Sequence, residues 1–227
     1  MKERVLIFDS SSLISIALNG LLPELKKLRE VFKGSFIIPF EVREEIIDKP
    51  MRVKRFELEA LKLKSLLDEN ILELPSSLEI NSEEVSESTK SVLEIANSIF
   101  LGKGKDLHII DSGEAACLAL SSILNKKGIE NLIVIDERTT RMLVERPENL
   151  AKFLRRKLHV RITFNKNNFS FFKNHKIIRS AELMYVAYKK GLVDLKNGMV
   201  LDALLYAVKF KGCAISEEEI KEIKKLG

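Results

Sequence analysis

The chain alternates between short apolar runs and longer stretches in which apolar residues recur at helical spacing. Runs at 5–8, 35–38, 71–74, 132–135 and 160–163 predict five β-strands. The stretches between them predict helices that begin near Ser11 or Ser12 and cover 22–31, 39–49, 53–67, 92–100, 111–125, 139–145 and 148–157, with a further helix start at 82–84. Strands alternating with helices indicate an α/β protein with a mostly parallel sheet and helices on both faces.

The pattern changes after Phe164. Three helical segments follow, at 180–190, 196–209 and 216–225. The last begins with Ser216 and Glu219 at the spacing of a capping box. We therefore divide the chain into an α/β domain over 1–165 and a basic segment with a small helical extension over 166–227.

Composition narrows the class of protein. The chain has 227 residues, of which 45% are hydrophobic and 31% charged, and this is typical of a globular protein rather than a disordered one. No apolar stretch is long enough to cross a bilayer, and the first residues lack the pattern of a signal peptide, so we expect a cytoplasmic protein without membrane contact. Cys117 and Cys213 lie in helical patterns and predict buried free thiols. The three histidines have no zinc-binding spacing.

Charge is distributed unevenly along the chain. Residues 151–227 hold 17 Lys and Arg against 7 Asp and Glu, whereas residues 1–150 hold 21 against 26. The net charge of the whole chain is +5. A basic section beside an acidic one suits a partner that carries phosphates.

Acidic residues occupy positions that sheet topology could bring together. Asp9 and Asp136 each follow an apolar run, and the carboxyl ends of parallel strands meet at the edge where α/β proteins bind ligands. Further acids lie on the helix after the second strand and at the start of the long helix: Glu44, Glu45, Asp111 and Glu114. Mg²⁺ or Mn²⁺ prefers such oxygen ligands. The acids therefore predict a metal site able to act on a phosphodiester.

Each acid also has an ordinary structural interpretation. Asp9 could cap the first helix, and Asp136 could start the helix that follows it. Glu44 and Glu45 could belong to a solvated helix face. Asp111 and Glu114 match a capping box with Asp in place of Ser or Thr. The order of the acids along the strands and helices is more informative than any one of them.

Four motifs in this order resemble the PIN-domain family of metal-dependent ribonucleases. The resemblance covers about residues 4–163, and its motifs are Phe8-Asp9-Ser10, Val42-x-x-Glu45, Gly113-Glu114-Ala115 and Ile135-Asp136-Glu137. It selects Glu45 over Glu44 and Glu114 over Asp111. The chain departs from the family in its long segment at 76–108 and in having only Glu137 as further acid after Asp136.

The resemblance implies a fold, a cofactor and an activity. The implied fold is a three-layer α/β/α sandwich, and the implied activity is cleavage of single-stranded RNA with Mg²⁺ or Mn²⁺. The metal ligands would be Asp9, Glu45, Glu114 and Asp136, with Ser10 or Ser12 bonding a ligand carboxylate or a water and Glu44, Asp111 and Glu137 as secondary candidates. Many members of the family are toxins of toxin–antitoxin pairs, so an antitoxin-like inhibitor protein and a homodimer are further expectations.

A basic segment rich in phenylalanine follows the predicted α/β elements. Residues 149–181 contain no acid, and basic side chains alternate with five phenylalanines between 153 and 172. We expect the phenylalanines to be core residues, because Phe is usually buried. For the basic residues two interpretations stay open, an RNA-binding surface and ordinary solvation. The candidates for RNA binding are Arg155, Arg156, Lys157 and Arg161.

These features lead to one main hypothesis and one competitor. The main hypothesis is a Mg²⁺- or Mn²⁺-dependent endoribonuclease. The competitor is a catalytically weak PIN-like module that binds RNA or a protein. A phosphatase with Asp9 as nucleophile is disfavoured, because position 11 is Ser where an Asp-x-Asp pair would need a second Asp.

Overall fold

The computed structural model describes residues 4–226 and contains seven strands and twelve α-helices within that range. The strands are β1 (Arg4–Phe8), β2 (Ser35–Ile37), β3 (Phe100–Gly102), β4 (Lys105–Asp106), β5 (Glu130–Val134), β6 (Ile162–Phe164) and β7 (Ile177–Ile178). The helices are α1 (Ser10–Leu18), α2 (Leu22–Val31), α3 (Phe40–Arg43), α4 (Glu57–Asp68), α5 (Ser82–Asn97), α6 (Ser112–Lys126), α7 (Arg138–Glu145), α8 (Pro147–Leu158), α9 (Phe169–Phe172), α10 (Ser180–Lys189), α11 (Val200–Phe210) and α12 (Glu217–Lys225). The expected α/β class is confirmed.

The main sheet has four parallel strands in the order β2-β1-β5-β7. Residues Val5 to Phe8 of β1 are buried without interruption, as expected for a strand covered on both faces. The ends of β1 and β5 are in register, with Phe8 opposite Val134. Asp9 and Asp136 therefore follow neighbouring strands at the same edge, as the sequence predicts.

Two of the predicted strands differ from the structure. The run at 71–74 forms a single parallel bridge between Glu73 and Ile37 rather than a strand. The run at 160–163 becomes β6, which leaves the main sheet and pairs antiparallel with β3; β3 also pairs with β4. The prediction of a fifth strand in one parallel sheet was wrong at this position, and β7 takes the outer place beside β5.

The predicted helices agree with the structure to within a few residues at most ends. The helix after β2 has an unexpected form, because α3 continues as a π-helix over Glu44–Asp48. The helix predicted over 92–100 corresponds to the second half of α5, which ends at Asn97. The capping box at α12 is confirmed, since Ser216 N–H donates to Glu219 and Glu219 N–H donates to Ser216 Oγ.

Residues 166–226 contribute to the same core as the rest of the chain. They supply β7 to the main sheet, and buried apolar side chains form one cluster that runs from Val5 to Ile223. Arg179 connects three parts of this region. Its guanidinium pairs with Glu182, lies 2.9 Å from Glu219 Oε1 and donates a hydrogen bond to the Ala214 carbonyl at 3.2 Å. The helical extension is thus packed on the α/β elements.

Three smaller expectations can be checked directly. Cys117 and Cys213 are buried free thiols, as predicted. The phenylalanines of the basic segment are core residues, with Phe169 and Phe172 buried and Phe153, Phe164 and Phe171 packed partly buried against the core. Among residues 4–226, no helix has the length and apolar character needed to cross a membrane.

Candidate functional site

Asp9 is the central acid of the candidate site. It is buried directly after β1 and forms the N-cap of α1, so the capping interpretation is correct. Its Oδ2 accepts hydrogen bonds from Ser11 N–H at 2.9 Å and from Ser11 Oγ at 2.5 Å. Its Oδ1 is buried, and no group in residues 4–226 donates to it. The cap uses one carboxylate oxygen and leaves the other for a ligand.

The hydroxyl that supports Asp9 belongs to Ser11. We predicted that Ser10 or Ser12 bonds a ligand carboxylate or a water; in the structure the neighbouring Ser11 bonds the Asp9 carboxylate, and Ser12 Oγ is directed to backbone carbonyls. Ser12 Oγ lies 2.9 Å from the carbonyl oxygens of both Asp9 and Val134, and therefore joins the ends of β1 and β5. Ser11 Oγ also accepts from Asp136 N–H at 3.1 Å.

Glu45 approaches the site from the π-helix that follows α3. π-Helical turns are rare and are often found at functional sites. Its carboxylate lies against the first turn of α6: a Cβ built on Gly113 would meet Glu45 Oε2 at 2.8 Å and Oε1 at 3.0 Å. Gly113 therefore provides the space in which the Glu45 carboxylate sits.

Glu114, one residue beyond Gly113, is held from two sides. Its Oε2 accepts from Asp111 N–H at 2.7 Å, as in a capping box. Its Oε1 accepts from Thr140 Oγ1 of α7 at 2.8 Å. Thr140 thus orients Glu114 from a different element.

Burial and repulsion between neighbouring carboxylates raise the pKa values of Asp9 and Glu114. Burial raises the pKa of Asp9 to about 6; the Ser11 hydrogen bonds oppose this rise, and the negative charge of Glu45 adds to it. Burial also raises the pKa of Glu114 to about 8, with further contributions from the charges of Asp9 and Glu137. Asp9, Glu45, Glu114 and Glu137 therefore form one acidic cluster, and we use that name for these four residues below.

Asp136 does not face the acidic cluster in this structure. Its carboxylate is buried and turned towards the first turn of α10, where Oδ1 accepts from Ser180 N–H at 2.8 Å and Oδ2 from Ser180 Oγ at 2.6 Å. Burial raises its pKa, and the Ser180 hydrogen bonds oppose that rise. The expected convergence of Asp9, Glu45, Glu114 and Asp136 is therefore corrected at its fourth member.

Glu137, a secondary candidate in the sequence, is the acid after β5 whose charge acts on Glu114. It forms the N-cap of α7, where Oε2 accepts from Thr140 N–H at 2.8 Å, and its charge raises the pKa of Glu114. Side chains of adjacent residues in an extended segment point in opposite directions, so only one of Asp136 and Glu137 can face the acidic cluster.

The other two secondary acids lie at the surface. Glu44 is paired with Lys49 at 3.5 Å. Asp111 is exposed, with Oδ1 at 2.6 Å from Nε2 of His108. The structural interpretations of these two acids, a solvated helix face and a helix start, agree with the geometry.

The four predicted RNA-binding residues form an exposed basic surface. Arg155, Arg156 and Lys157 occupy the last turn of α8, and Arg161 follows shortly afterwards. None of them forms an ion pair with an acid in residues 4–226. Helix α8 packs on α7, which carries Thr140 and the cap Glu137. The surface is therefore connected to the acidic cluster through one helix pair, and its charges are free for phosphates.

The acidic cluster offers the donor set of a hard divalent ion but does not close around one. All four side chains supply carboxylate oxygens, and Asp9 Oδ1 is buried without a donor. Within residues 4–226, no three His, Cys, Asp or Glu side chains converge closely enough to hold a metal ion. The residue types fit Mg²⁺ or Mn²⁺, and binding would require the glutamate side chains to move inwards.

Comparisons with known proteins do not assign this chain to a family. Searches against protein-family models, curated proteins and solved structures each found no match.

Several residues that shape the site were not found from the sequence. Ser11 supports Asp9, Gly113 admits Glu45, Thr140 orients Glu114 and Ser180 holds Asp136. The Gly113-Glu114 pair was a signal for the second of these, because glycine at the start of a helix permits close approach of another chain segment. Thr140 and Ser180 are distant in sequence from the acids they bond, and nothing local indicated them.

Proposed function

We propose that the chain is a metal-dependent endoribonuclease that hydrolyses phosphodiester bonds of single-stranded RNA at the acidic cluster. The observation that carries the proposal concerns Asp9, at the carboxyl edge of a parallel sheet. Its Oδ1 is buried beside two glutamates and accepts no hydrogen bond from residues 4–226. Like charges crowded in a buried site are costly, and a divalent cation would relieve that cost. The three-layer PIN-like arrangement is part of the same proposal and is supported by the order of the motifs.

Each residue of the site would have its own role in metal binding and catalysis. Asp9, Glu45 and Glu114 would hold Mg²⁺ or Mn²⁺, with Glu137 as fourth acid in place of Asp136. When bound, the ion would polarise the phosphoryl group and lower the pKa of the attacking water. Ser11 fixes the Asp9 carboxylate, and Thr140 fixes Glu114, so that both acids are preorganised.

Two observations favour the competing function. Both oxygens of Asp136 are already bonded to Ser180, and within residues 4–226 no three ligands converge. A PIN-like module that binds RNA or a protein with little catalysis would have this appearance. An antitoxin-like inhibitor protein and self-association into a homodimer are the partners that the same resemblance proposes.

A cleavage assay separates the two functions. A fluorescent single-stranded RNA is incubated with Mn²⁺ and the wild-type protein, Asp9→Asn or Glu87→Gln, an exposed acid of α5 that serves as a matched control. The nuclease proposal expects cleavage by the wild type and Glu87→Gln, and at least a hundredfold loss in Asp9→Asn and in EDTA. Equal cleavage in all samples would identify a contaminating nuclease, and RNA binding without cleavage would support the binding module.

A second variant tests the geometry of the metal site. In Gly113→Ala the added Cβ would displace the Glu45 carboxylate, which is the flexible end of a side chain, so stability should change little. Calorimetry with Mn²⁺ should give at least tenfold weaker binding to Gly113→Ala and no detectable binding to Asp9→Asn. Wild-type Mn²⁺ affinity in both variants would exclude the acidic cluster as the metal site.

A further inference from the structure

A cavity of about 560 Å³ lies between the first turn of α3, the segment at 74–76 and the start of α5. Its walls are mainly apolar, and Phe40 and Glu41 line the side that belongs to α3. The apolar wall residues are Leu74, Pro75, Ile80 and Val85. The volume is within the range of small-ligand sites in proteins.

The cavity adjoins the acidic cluster. Glu41 precedes Glu45 by one helical turn, so both side chains lie on the same side of the helix. Beneath them, burial raises the pKa of the Cys117 thiol, and the charges of Asp9, Glu114, Glu45 and Glu41 all add to the rise. A ligand in the cavity would therefore lie on the same side of this helix as the Glu45 carboxylate of the acidic cluster.

Glu41 has no partner within the part of the chain that the structure describes. Its Oε2 is buried, and no hydrogen-bond donor of residues 4–226 reaches it. None of the ion pairs among these residues includes Glu41, although Arg43 pairs with Asp48 nearby. A buried acceptor without a donor costs free energy, so this oxygen is available to a donor from outside the chain.

Phe40 provides a face on which a ring can stack. It is 51% exposed, which is unusual for phenylalanine, and the Arg43 guanidinium lies 5.8 Å from its ring centroid. In proteins that bind single-stranded nucleic acids, aromatic side chains stack on unpaired bases.

We propose that this cavity binds one nucleobase of single-stranded RNA, which stacks on Phe40 and donates a hydrogen bond to the Glu41 carboxylate. The proposal rests on the proposed nuclease function and adds base specificity to it. An ionised carboxylate only accepts hydrogen bonds. Guanine presents two adjacent donors, N1–H and its amino group, and cytosine presents an amino group, whereas uracil places carbonyl oxygens on both sides of its single N–H. The order of preference should be guanine, then cytosine, then uracil.

The first experiment maps where a random single-stranded RNA is cut in Mn²⁺. Wild-type protein should cut with a guanine preference of about tenfold over uracil at one position next to the scissile bond. Glu41→Gln and Phe40→Ala should lose that preference, whereas the matched controls Glu87→Gln and Phe210→Leu should keep it. Cleavage without any base preference, or a preference unchanged in Glu41→Gln, would overturn the base pocket while leaving the nuclease function intact.

The second experiment measures binding in EDTA, where no cleavage occurs. Saturation-transfer NMR with the neutral probes guanosine, cytidine and uridine should detect guanosine on the wild type and on both controls, with at least a fivefold weaker signal on Glu41→Gln and on Phe40→Ala. Guanosine binding at Glu41 in a protein that cuts no RNA would support the pocket and contradict the nuclease. Failure of guanosine to bind, or preferential capture of an arginine-containing peptide, would contradict the base pocket.

Discussion

At the scale of single residues, the acidic cluster is costly to the folded protein. Carboxylates are rarely buried next to one another unless they bind a cation or share protons, because each loses hydration and repels its neighbours. Here the hydrogen bonds from Ser11 and Thr140 offset only part of the rise in the pKa of Asp9 and Glu114. The cluster therefore resembles a site whose residues are selected for function at the expense of stability.

The raised pKa of Glu114 predicts a pH dependence of stability in the metal-free protein. An unfolded glutamate titrates near pH 4.5, and the folded one near pH 8. Between these values the folded state retains a proton that the unfolded state has lost, so the stabilisation present below pH 4.5 is lost as the pH rises towards 8. Glu114→Gln cannot ionise, and it should be more stable than the wild type above pH 8 by on the order of 1–3 kcal/mol.

Denaturant unfolding in EDTA at pH 5 and pH 8.5 measures this difference. The quantity to compare is the change in unfolding free energy between the two pH values, since acids outside the acidic cluster contribute equally to both proteins. Glu87→Gln should follow the wild type. Parallel pH profiles for the wild type and Glu114→Gln would show that Glu114 has an ordinary pKa.

At the scale of elements, Asp136 connects the end of β5 to the start of α10. Its carboxylate accepts the Ser180 N–H and hydroxyl, both buried, so it satisfies donors at a helix N-terminus. Asp136→Asn replaces one acceptor by a donor and should reduce the unfolding free energy by about 1–3 kcal/mol. Ser180→Ala removes only the hydroxyl donor to Asp136 Oδ2, and the double variant should cost less than the sum of the two, because both changes affect this one hydrogen bond.

The same variants distinguish a structural Asp136 from a metal ligand. If Asp136 acts through Ser180, Asp136→Asn retains the increase in melting temperature that Mn²⁺ gives the wild type, whereas Asp9→Asn loses it. Loss of the Mn²⁺ effect in Asp136→Asn with unchanged stability would mean that its carboxylate turns towards the ion when the ion binds.

The sequence predicts elements well where local signals agree. The helices were found because apolar periodicity, Pro39 and Pro50, and capping residues all pointed to the same ends. The two-residue strand β7 was missed because its place is set by pairing with β5, and the run at 71–74 failed as a strand because only Glu73 bridges to β2. For the site, the order of strands and helices predicted Asp9 together with Glu44 or Glu45 and Asp111 or Glu114, and the resemblance selected Glu45 and Glu114. Asp136 and Glu137 are adjacent in an extended segment, so their side chains point in opposite directions. The sequence does not determine which of the two faces the other acids.

At the scale of the whole molecule, the basic section predicted from the sequence folds onto the acidic one. Residues 166–226 share the core and the main sheet with the earlier elements, and α8 contributes Leu150, Ala151 and Leu154 to that core, so the exposed basic residues of α8 and the acidic cluster belong to one packed unit. The basic surface can bind the phosphates of RNA while the acidic cluster keeps a cation, because the two sets of charges lie on different residues.

This arrangement predicts how RNA binding depends on salt. With cleavage blocked by EDTA, the variant with Arg155, Arg156, Lys157 and Arg161 replaced by Ala should bind single-stranded RNA at least tenfold more weakly than the wild type at 0.1 M salt. The slope of log affinity against log salt concentration should become shallower by up to about 0.7 for each lost phosphate contact. A matched control removes four exposed lysines elsewhere, Lys33, Lys90, Lys126 and Lys127, and lowers the net charge by the same amount. Equal weakening in both variants would mean that net charge alone attracts RNA, whereas weakening confined to the first would identify the end of α8 as the phosphate-binding surface.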